Sequence, residues 1–197
     1  MIEEFNMLIS GVGGQGSVLM GELLGRAAVA DGLNVKGSEI IGLAQRGGAV
    51  TSVLRIGSAC QSPMVPLGTG DIMIGLEPAE ALRNITYMAK SSIIVVNDRR
   101  VMSVTTLLGM GTYASIEEII EKLKKYSSRV ISMDAIALAK QAGSARSANI
   151  VMMGAGFGTG KIPVRIETIK ATIEARFGAR ESISNIKAFE LGYNLCR

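Results

Sequence analysis

Four glycines fall within six residues near the start of the chain, at Gly11, Gly13, Gly14 and Gly16, with Gln15 among them. They follow the apolar run Met7–Val12 and precede a helical pattern. Gly11-x-Gly13-x-x-Gly16 has the spacing with which a strand turns into a helix while its backbone approaches a dinucleotide. Glycine serves there for a sharp turn, for close approach of backbone to a ligand, or for packing a helix tightly on a strand. The N–H groups at such a helix start favour an anion. No Gly-Lys-Ser/Thr follows, so this is not a Walker A loop. Gly11, Gly13, Gly14, Gln15 and Gly16 are therefore candidate phosphate or cofactor contacts. The alternative is a close-packed turn that holds nothing.

A second candidate is Gln45-Arg46-Gly47-Gly48. An arginine between an amide and two glycines can present a planar fork to a phosphate or carboxylate. An ordinary turn with a solvated arginine explains the glycines but not the glutamine and arginine, and both readings stay open. Glu77 stands at the carboxyl end of an expected strand, where ligand crevices form in α/β sheets. Charge compensation at a helix start accounts for it more simply. Cys60 reads as a loop or core thiol, with nothing nearby to activate it. The 11 methionines are core filler in the main, although Met64, Met110, Met152 and Met153 could line an adaptable apolar interface.

Composition narrows the chemistry. The chain has 197 residues, of which 48% are apolar, enough for a single domain spanning 1–197. The longest apolar runs fall short of the roughly 18 residues that a membrane span needs. Glu3 and Glu4 stand where a secretory signal would be basic, and two cysteines suit a reducing cytoplasm. The net charge of +4 is scattered, and with no Trp, 4 Tyr and 4 Phe there is little platform for nucleic acid. A phosphate-bearing ligand or an acidic partner fits better. The absence of histidine excludes a Ser-His-Asp triad, a His-ligated metal and a histidine base. Cys60 and Cys196 alone cannot build an iron–sulfur or zinc site.

The elements that position these residues follow from periodicity. Met7–Val12 predicts the first strand and Ser17–Asp31 a helix stopped by Gly32. Val35–Glu39 predicts the second strand, with Glu39 near the place of a ribose-binding acid in a Rossmann domain. Ala49–Ile56 predicts a third within about ten residues, too close for a crossover helix, so it should lie antiparallel. Further strands are expected at Asp71–Gly75, Ser92–Asn97 and Arg129–Met133. Pro78 opens a helix, and Ser115 with Glu118 forms a capping box for Ile116–Tyr126. Asp134 caps a helix ending near Gly143, and Asn149–Phe157 forms another. Pro163 leads into a helix through Phe177, and Ser182 should cap a last one through Leu195. No clear period runs through Val101–Ala114. The fold class is α/β: a three-layer sandwich around a mixed, mostly parallel sheet, with a Rossmann-like glycine turn and a helical C-terminus.

Taken together, Gly11-Val-Gly-Gly-Gln-Gly16 and Ser38-Glu-Ile-Ile-Gly-Leu-Ala-Gln-Arg-Gly-Gly48 resemble the gamma-type domain of 2-oxoacid:ferredoxin oxidoreductases. Val50-x-Ser52-x-x-Arg55-Ile56, Ser62-Pro63, Gly68, Asp71, Glu77-Pro78-x-Glu80-Ala81-Leu82-Arg83, Asn97, Asn149 and Ala188-Phe189-Glu190-Leu191-Gly192-Tyr193 extend the likeness over nearly the whole chain. Pyruvate-type gamma chains tend to carry Arg-Arg-Gly-Ala-Pro at the second motif. Gln45-Arg46-Gly47-Gly48-Ala49 is instead similar to the small (beta) subunits of indolepyruvate ferredoxin oxidoreductases. The resemblance implies a large partner subunit holding thiamine diphosphate and iron–sulfur clusters, with coenzyme A as co-substrate and ferredoxin reduced by the complex. It implies oxidative decarboxylation of an aryl-pyruvate, with no catalytic residue on this chain. Gly13, Gly14, Gln15 and Gly16, with Gln45, Arg46 and Gly47, would face the shared site. Two rival classes are a stand-alone Rossmann-type NAD(P)-binding oxidoreductase and a non-catalytic structural subunit.

Overall fold

The structure, a computed structural model, describes residues 2–44, 47–102, 106, 108, 109 and 111–197. Six strands form one sheet: β1 (Phe5–Val12), β2 (Val35–Ile41), β3 (Ala49–Ile56), β4 (Gly70–Gly75), β5 (Met88–Asn97) and β6 (Arg129–Met133). Their order is β2-β3-β1-β4-β5-β6. β1, β4, β5 and β6 pair in parallel, and β3 lies antiparallel to both of its neighbours. The short link from β2 to β3 has the predicted effect: a hairpin rather than a crossover. Both β2 and β5 are longer than expected: pairing carries β2 on through Ile40 and Ile41 opposite Thr51 and Val50, and β5 begins at Met88, ahead of the polar Lys90 and Ser91.

Side chains alternate across this sheet as the strand period requires. Met7 and Ile9 face one core with Ile72, Ile74 and Val95, whereas Leu8 faces the other with Met73, Ile94 and Val96. The first core is covered by α1 (Ser17–Ala30), α4 (Ala135–Ala142), α5 (Ala148–Gly158) and α6 (Ile166–Cys196). The second lies under α2 (Pro78–Arg83) and α3 (Ile116–Lys124). This is the expected three-layer sandwich. The capping box forms as read: the Ser115 hydroxyl accepts from Glu118 N, and the Glu118 carboxylate accepts from Ser115 N.

Two expectations fail for physical reasons. Ser182 caps no helix. The chain stays helical through it, its hydroxyl donates to Ala179 O at 3.2 Å, and the break falls at Gly178, with φ 69° and ψ 172°. A left-handed kink is cheap at glycine, so the direction changes there. Glu39 does not stand at a ribose site. In a Rossmann sheet the second strand lies beside the first, but here β3 intervenes, with Glu39 paired to Ser52 and Ser52 to Ile9.

α5 and α6 pack backbone to backbone. A Cβ on Gly192 would lie 1.9 Å from Val151 O, and one on Gly154 would lie 2.0 Å from Phe189 O. Along the seam the Phe157 ring tilts against Phe189 at 5.4 Å between centroids, and Phe189 stacks on Tyr193 at 6.3 Å. Asp31 ties the end of α1 to the start of α6, accepting from Arg165 N at 2.7 Å and binding the Arg165 side chain. These contacts join both α1 and α5 to α6.

Candidate functional site

β1 ends at Val12 and α1 begins at Ser17, with Gly16 as N-cap in the left-handed region and no side chain capping it. Gly14 and Gly16 take φ of 94° and 84°, which disfavours any residue with a Cβ. Gly11 is buried beneath Gln15 and Leu76. The Gln15 side chain is committed within the fold: Oε1 accepts from Val12 N at 2.8 Å, and Nε2 donates to Leu76 O at 3.1 Å. Asn97 donates to the same carbonyl at 3.3 Å and accepts from Ala135 N at 3.1 Å. Two amide side chains thus lace together the carboxyl ends of β1, β4 and β5 and the first turn of α4. The exposed part of the turn is Gly13 and Gly14.

The second motif comes to the first. Gly13 N donates to Gly48 O at 2.9 Å, so Gly47 and Gly48 sit beside the glycine turn. Gln45 and Arg46 lie outside the described residues.

Two clefts flank this junction, with Val101 lining both. The larger, of about 490 Å³, lies on the α2 side between Val12, Gly47 and Gly48 and the trio Glu77, Glu80 and Arg83. Glu77 is 1% exposed. Its Oε2 caps α2 by accepting from Glu80 N at 3.0 Å, and its Oε1 accepts from Val101 N at 3.3 Å and from the Tyr113 hydroxyl. The sequence reading of Glu77 as a helix-start acid is therefore right but incomplete. Its partner Tyr113 comes 36 residues later, from a stretch without periodicity, and no local signal marks the pair. Burial and the adjacent Glu77 push the Tyr113 hydroxyl well above the usual phenol range, so it stays a donor. Burial also raises Glu80, with Arg83 opposing and Glu77 adding to the rise.

The smaller cleft, of about 250 Å³, lies on the other side of the turn between Gly14, Gln15, Asn97, Arg146 and Asn149. Sequence reading placed Asn149 in a helical pattern and among the residues of the resemblance, without a contact; here it reaches the glycine turn from far along the chain. A Cβ on Gly16 would come within 2.3 Å of Asn149 Nδ2.

Cys60 and Cys196 are both buried as free thiols, and burial pushes the Cys196 thiol up. Among the described residues, no three His, Cys, Asp or Glu side chains converge as a metal site. Nor is any described helix long and apolar enough to cross a membrane.

Comparison with known proteins covers this whole framework. The family described as pyruvate ferredoxin/flavodoxin oxidoreductase matches residues 6–195. The indolepyruvate oxidoreductase subunit IorB of Archaeoglobus fulgidus is 38% identical over 189 residues, covering 96% of this chain and 94% of the relative. The pyruvate oxidoreductase subunit PORC of Thermotoga maritima shares the fold, with TM-score 0.73 and 22% identity over 98% of this chain and 96% of its own. The 2-oxoglutarate:ferredoxin oxidoreductase of Magnetococcus marinus, solved with 2-oxoglutarate, coenzyme A and succinyl-CoA bound, contains the same fold within a longer chain. There the TM-score is 0.73 and the identity 21%, over 100% of this chain and 31% of that one. The match runs from β1, through the glycine turn and both clefts, to the last turn of α6, and by it the chain belongs to the pyruvate ferredoxin/flavodoxin oxidoreductase family.

Proposed function

We propose that this chain is the small subunit of a ferredoxin-dependent 2-oxoacid oxidoreductase acting on an aryl-pyruvate such as indolepyruvate. The observation that carries this reading is the 38% identity to an indolepyruvate oxidoreductase subunit across 96% of the chain. The overall reaction takes an aryl-pyruvate, coenzyme A and oxidised ferredoxin to an aryl-acetyl-CoA, carbon dioxide and reduced ferredoxin, in the cytoplasm.

Thiamine diphosphate and iron–sulfur clusters belong to a larger partner subunit. Bound there, they supply the electron sink for decarboxylation and the path for electrons. The donor set of this chain does not fit a cluster. Its two cysteines lie apart, Cys60 after β3 and Cys196 at the end of α6, whereas a cluster takes about four thiolates.

This chain would contribute a wall of the shared site. The exposed backbone at Gly13 and Gly14, with the half-buried Gly16 and Gly47 beside it, lets a ligand approach closely. Arg46, next to Gly47, would bring a charged fork to a phosphate of coenzyme A. Gln15 and Gly11 hold that wall in shape rather than touching the ligand.

Co-expression with the large thiamine-dependent subunit tests the reading. The expected result is a brown complex whose ferredoxin reduction requires both chains and coenzyme A, with higher kcat/KM for indolepyruvate than for pyruvate. Preference for pyruvate would overturn the aryl assignment. An isolated chain that binds NAD(H) at micromolar concentration and associates with no large subunit would overturn the subunit reading. In the complex, an Arg46→Ala variant with unchanged dependence on coenzyme A would remove Arg46 from the site.

A further inference from the structure

The sheet edge at β2 is built unlike the rest of the sheet. Among the described residues β2 pairs with β3 alone, and none of its residues is buried. β6, at the opposite edge, packs on both faces, Ile131 against one core and Val130 against the other. Asn34 O accepts from Gly57 N and Gly42 N donates to Ala49 O, both in step with the β2–β3 register. Hydrogen-bonded pairs alternate along an antiparallel ladder, so the N–H and C=O groups of Val35, Gly37, Glu39 and Ile41 face away from β3. They form an unbroken row, because the register has no bulge. Natural sheet edges are blunted by charge, proline or a bulge. Lys36 and Glu39 put charge along the first part of β2, whereas its last residues, Ile40 and Ile41, carry none.

That apolar end borders the wall formed by the glycine turn. Ile41 is 65% exposed, and Leu43 just beyond it is fully exposed. Ile41 pairs with Val50, and Val50 pairs with Gly11, so the open end of β2 is level with the start of the turn. The middle of the edge opens on a groove instead. Gly37 has no side chain, and a space of about 100 Å³ lies between it and Gly21 and Gly25 of α1. Ser52 lines the same groove; it is 1% exposed, and its Oγ has no hydrogen-bond partner among the described residues. A buried hydroxyl left unpaired calls for an explanation. A polar side chain entering past Gly37 would supply its partner.

We propose that β2 is a strand-addition edge whose occupant is an extended segment of the large subunit, a proposal that rests on the reading of this chain as a small subunit. The backbone of that segment pairs with the outward groups of Val35, Gly37, Glu39 and Ile41, and its apolar side chains cover Ile41 and Leu43. The place of the apolar end favours this occupant over a second copy. Two β2 strands meeting at their centres about a two-fold axis would join the polar stretch Lys36–Glu39 and set the apolar ends apart. A large subunit that closes over Gly13 and Gly47 reaches Ile41 and Leu43 next.

The test titrates the full chain with the purified large subunit by calorimetry, and measures the size of the chain alone by light scattering. Ile41→Lys sets a charge on the apolar end. Glu39→Pro removes an outward N–H and leaves the β2–β3 ladder intact. Each should weaken binding about 10-fold or more, with a thermal melt to show that the variant is folded. Ile183→Lys, at an exposed apolar residue of α6, should leave binding unchanged. Hydrogen exchange reads the same edge without any substitution: the amides of Gly37, Glu39 and Ile41 should become protected in the complex. A complex that forms with these amides unprotected, or that both variants bind as the parent does, would overturn the proposal and leave the subunit reading standing. A parent chain that does not bind the large subunit would overturn that reading and the proposal with it. A parent dimer that Ile41→Lys or Glu39→Pro converts to monomer would overturn the proposal by giving the edge to a second copy.

Discussion

The hydroxyl of Tyr113 donates to the buried Oε1 of Glu77, joining the start of α2 to the segment that enters α3. Both residues line the larger cleft. The bond holds a carboxylate that also caps a helix and accepts from Val101 N. A buried carboxylate is tolerated only when it is hydrogen-bonded in this way, so Tyr113, Glu77 and the cleft wall depend on one another. Arg100 lies over the Tyr113 ring at 5.7 Å and adds a cation–π contact on the outer side.

Tyr113→Phe should therefore destabilise the fold although it preserves the ring. Loss of a neutral donor from a buried charged acceptor costs about 1.5–3 kcal/mol. Urea denaturation at neutral pH measures it. A change below about 0.5 kcal/mol, the range of an ordinary surface substitution, would show that Tyr113 does not hold the carboxylate.

Glu80 gives a prediction in pH. Burial raises its pKa in the folded chain above the ordinary value, with Arg83 at 3.3 Å opposing. A raised carboxyl pKa means that the folded state prefers the protonated form. Its contribution is fully present below the unfolded pKa and is lost as pH rises through the folded one. Glu80→Gln keeps the shape without the charge. Its stability relative to the parent should rise from pH 4 to pH 7, and parallel stability curves across that range would contradict the shift.

The α5–α6 seam makes a steric prediction. Gly192→Ala would bring a methyl group to 1.9 Å from the backbone carbonyl of Val151. A carbonyl inside a helix cannot swing aside as a side-chain tip can, so the two helices must separate. Overpacking of that kind costs about 3 kcal/mol. A thermal melt of the variant reads it, and an unchanged Tm would mean that the seam is looser than the geometry shows.

What was legible in the sequence is what rests on neighbours in the chain. The strand, turn and helix around Gly11–Gly16 follow from a local pattern, as does the Ser115–Glu118 capping box. The hairpin from β2 to β3 follows from a short connection. The sandwich then follows from the order of elements. The two clefts were hidden because their key pairs are distant in sequence: Tyr113 with Glu77, and Asn149 with Gly16. Gln15 was read as a ligand contact because its place in the motif is visible and its partner Leu76 O is not. The helix end at Phe177 was read in the right place, but the restart was assigned to Ser182 instead of the residues directly after Gly178, because a serine in a polar stretch looks like a cap.

Gln15 allows its two readings to be separated by experiment. If its amide serves the fold, Gln15→Glu should remove the donor to Leu76 O and set a carboxylate oxygen against that carbonyl, while acceptance from Val12 N survives. The unmade hydrogen bond and the repulsion should cost about 1–3 kcal/mol at neutral pH. Protonating the new carboxyl restores a donor, so the deficit should shrink as pH falls through its raised pKa. Chemical denaturation at pH 7 and pH 4 measures both limbs. If Gln15 served only a bound ligand, stability without that ligand would be unchanged at either pH. A deficit that vanishes in acid ties the residue to the end of β4 and makes it a positioning residue for the glycine turn.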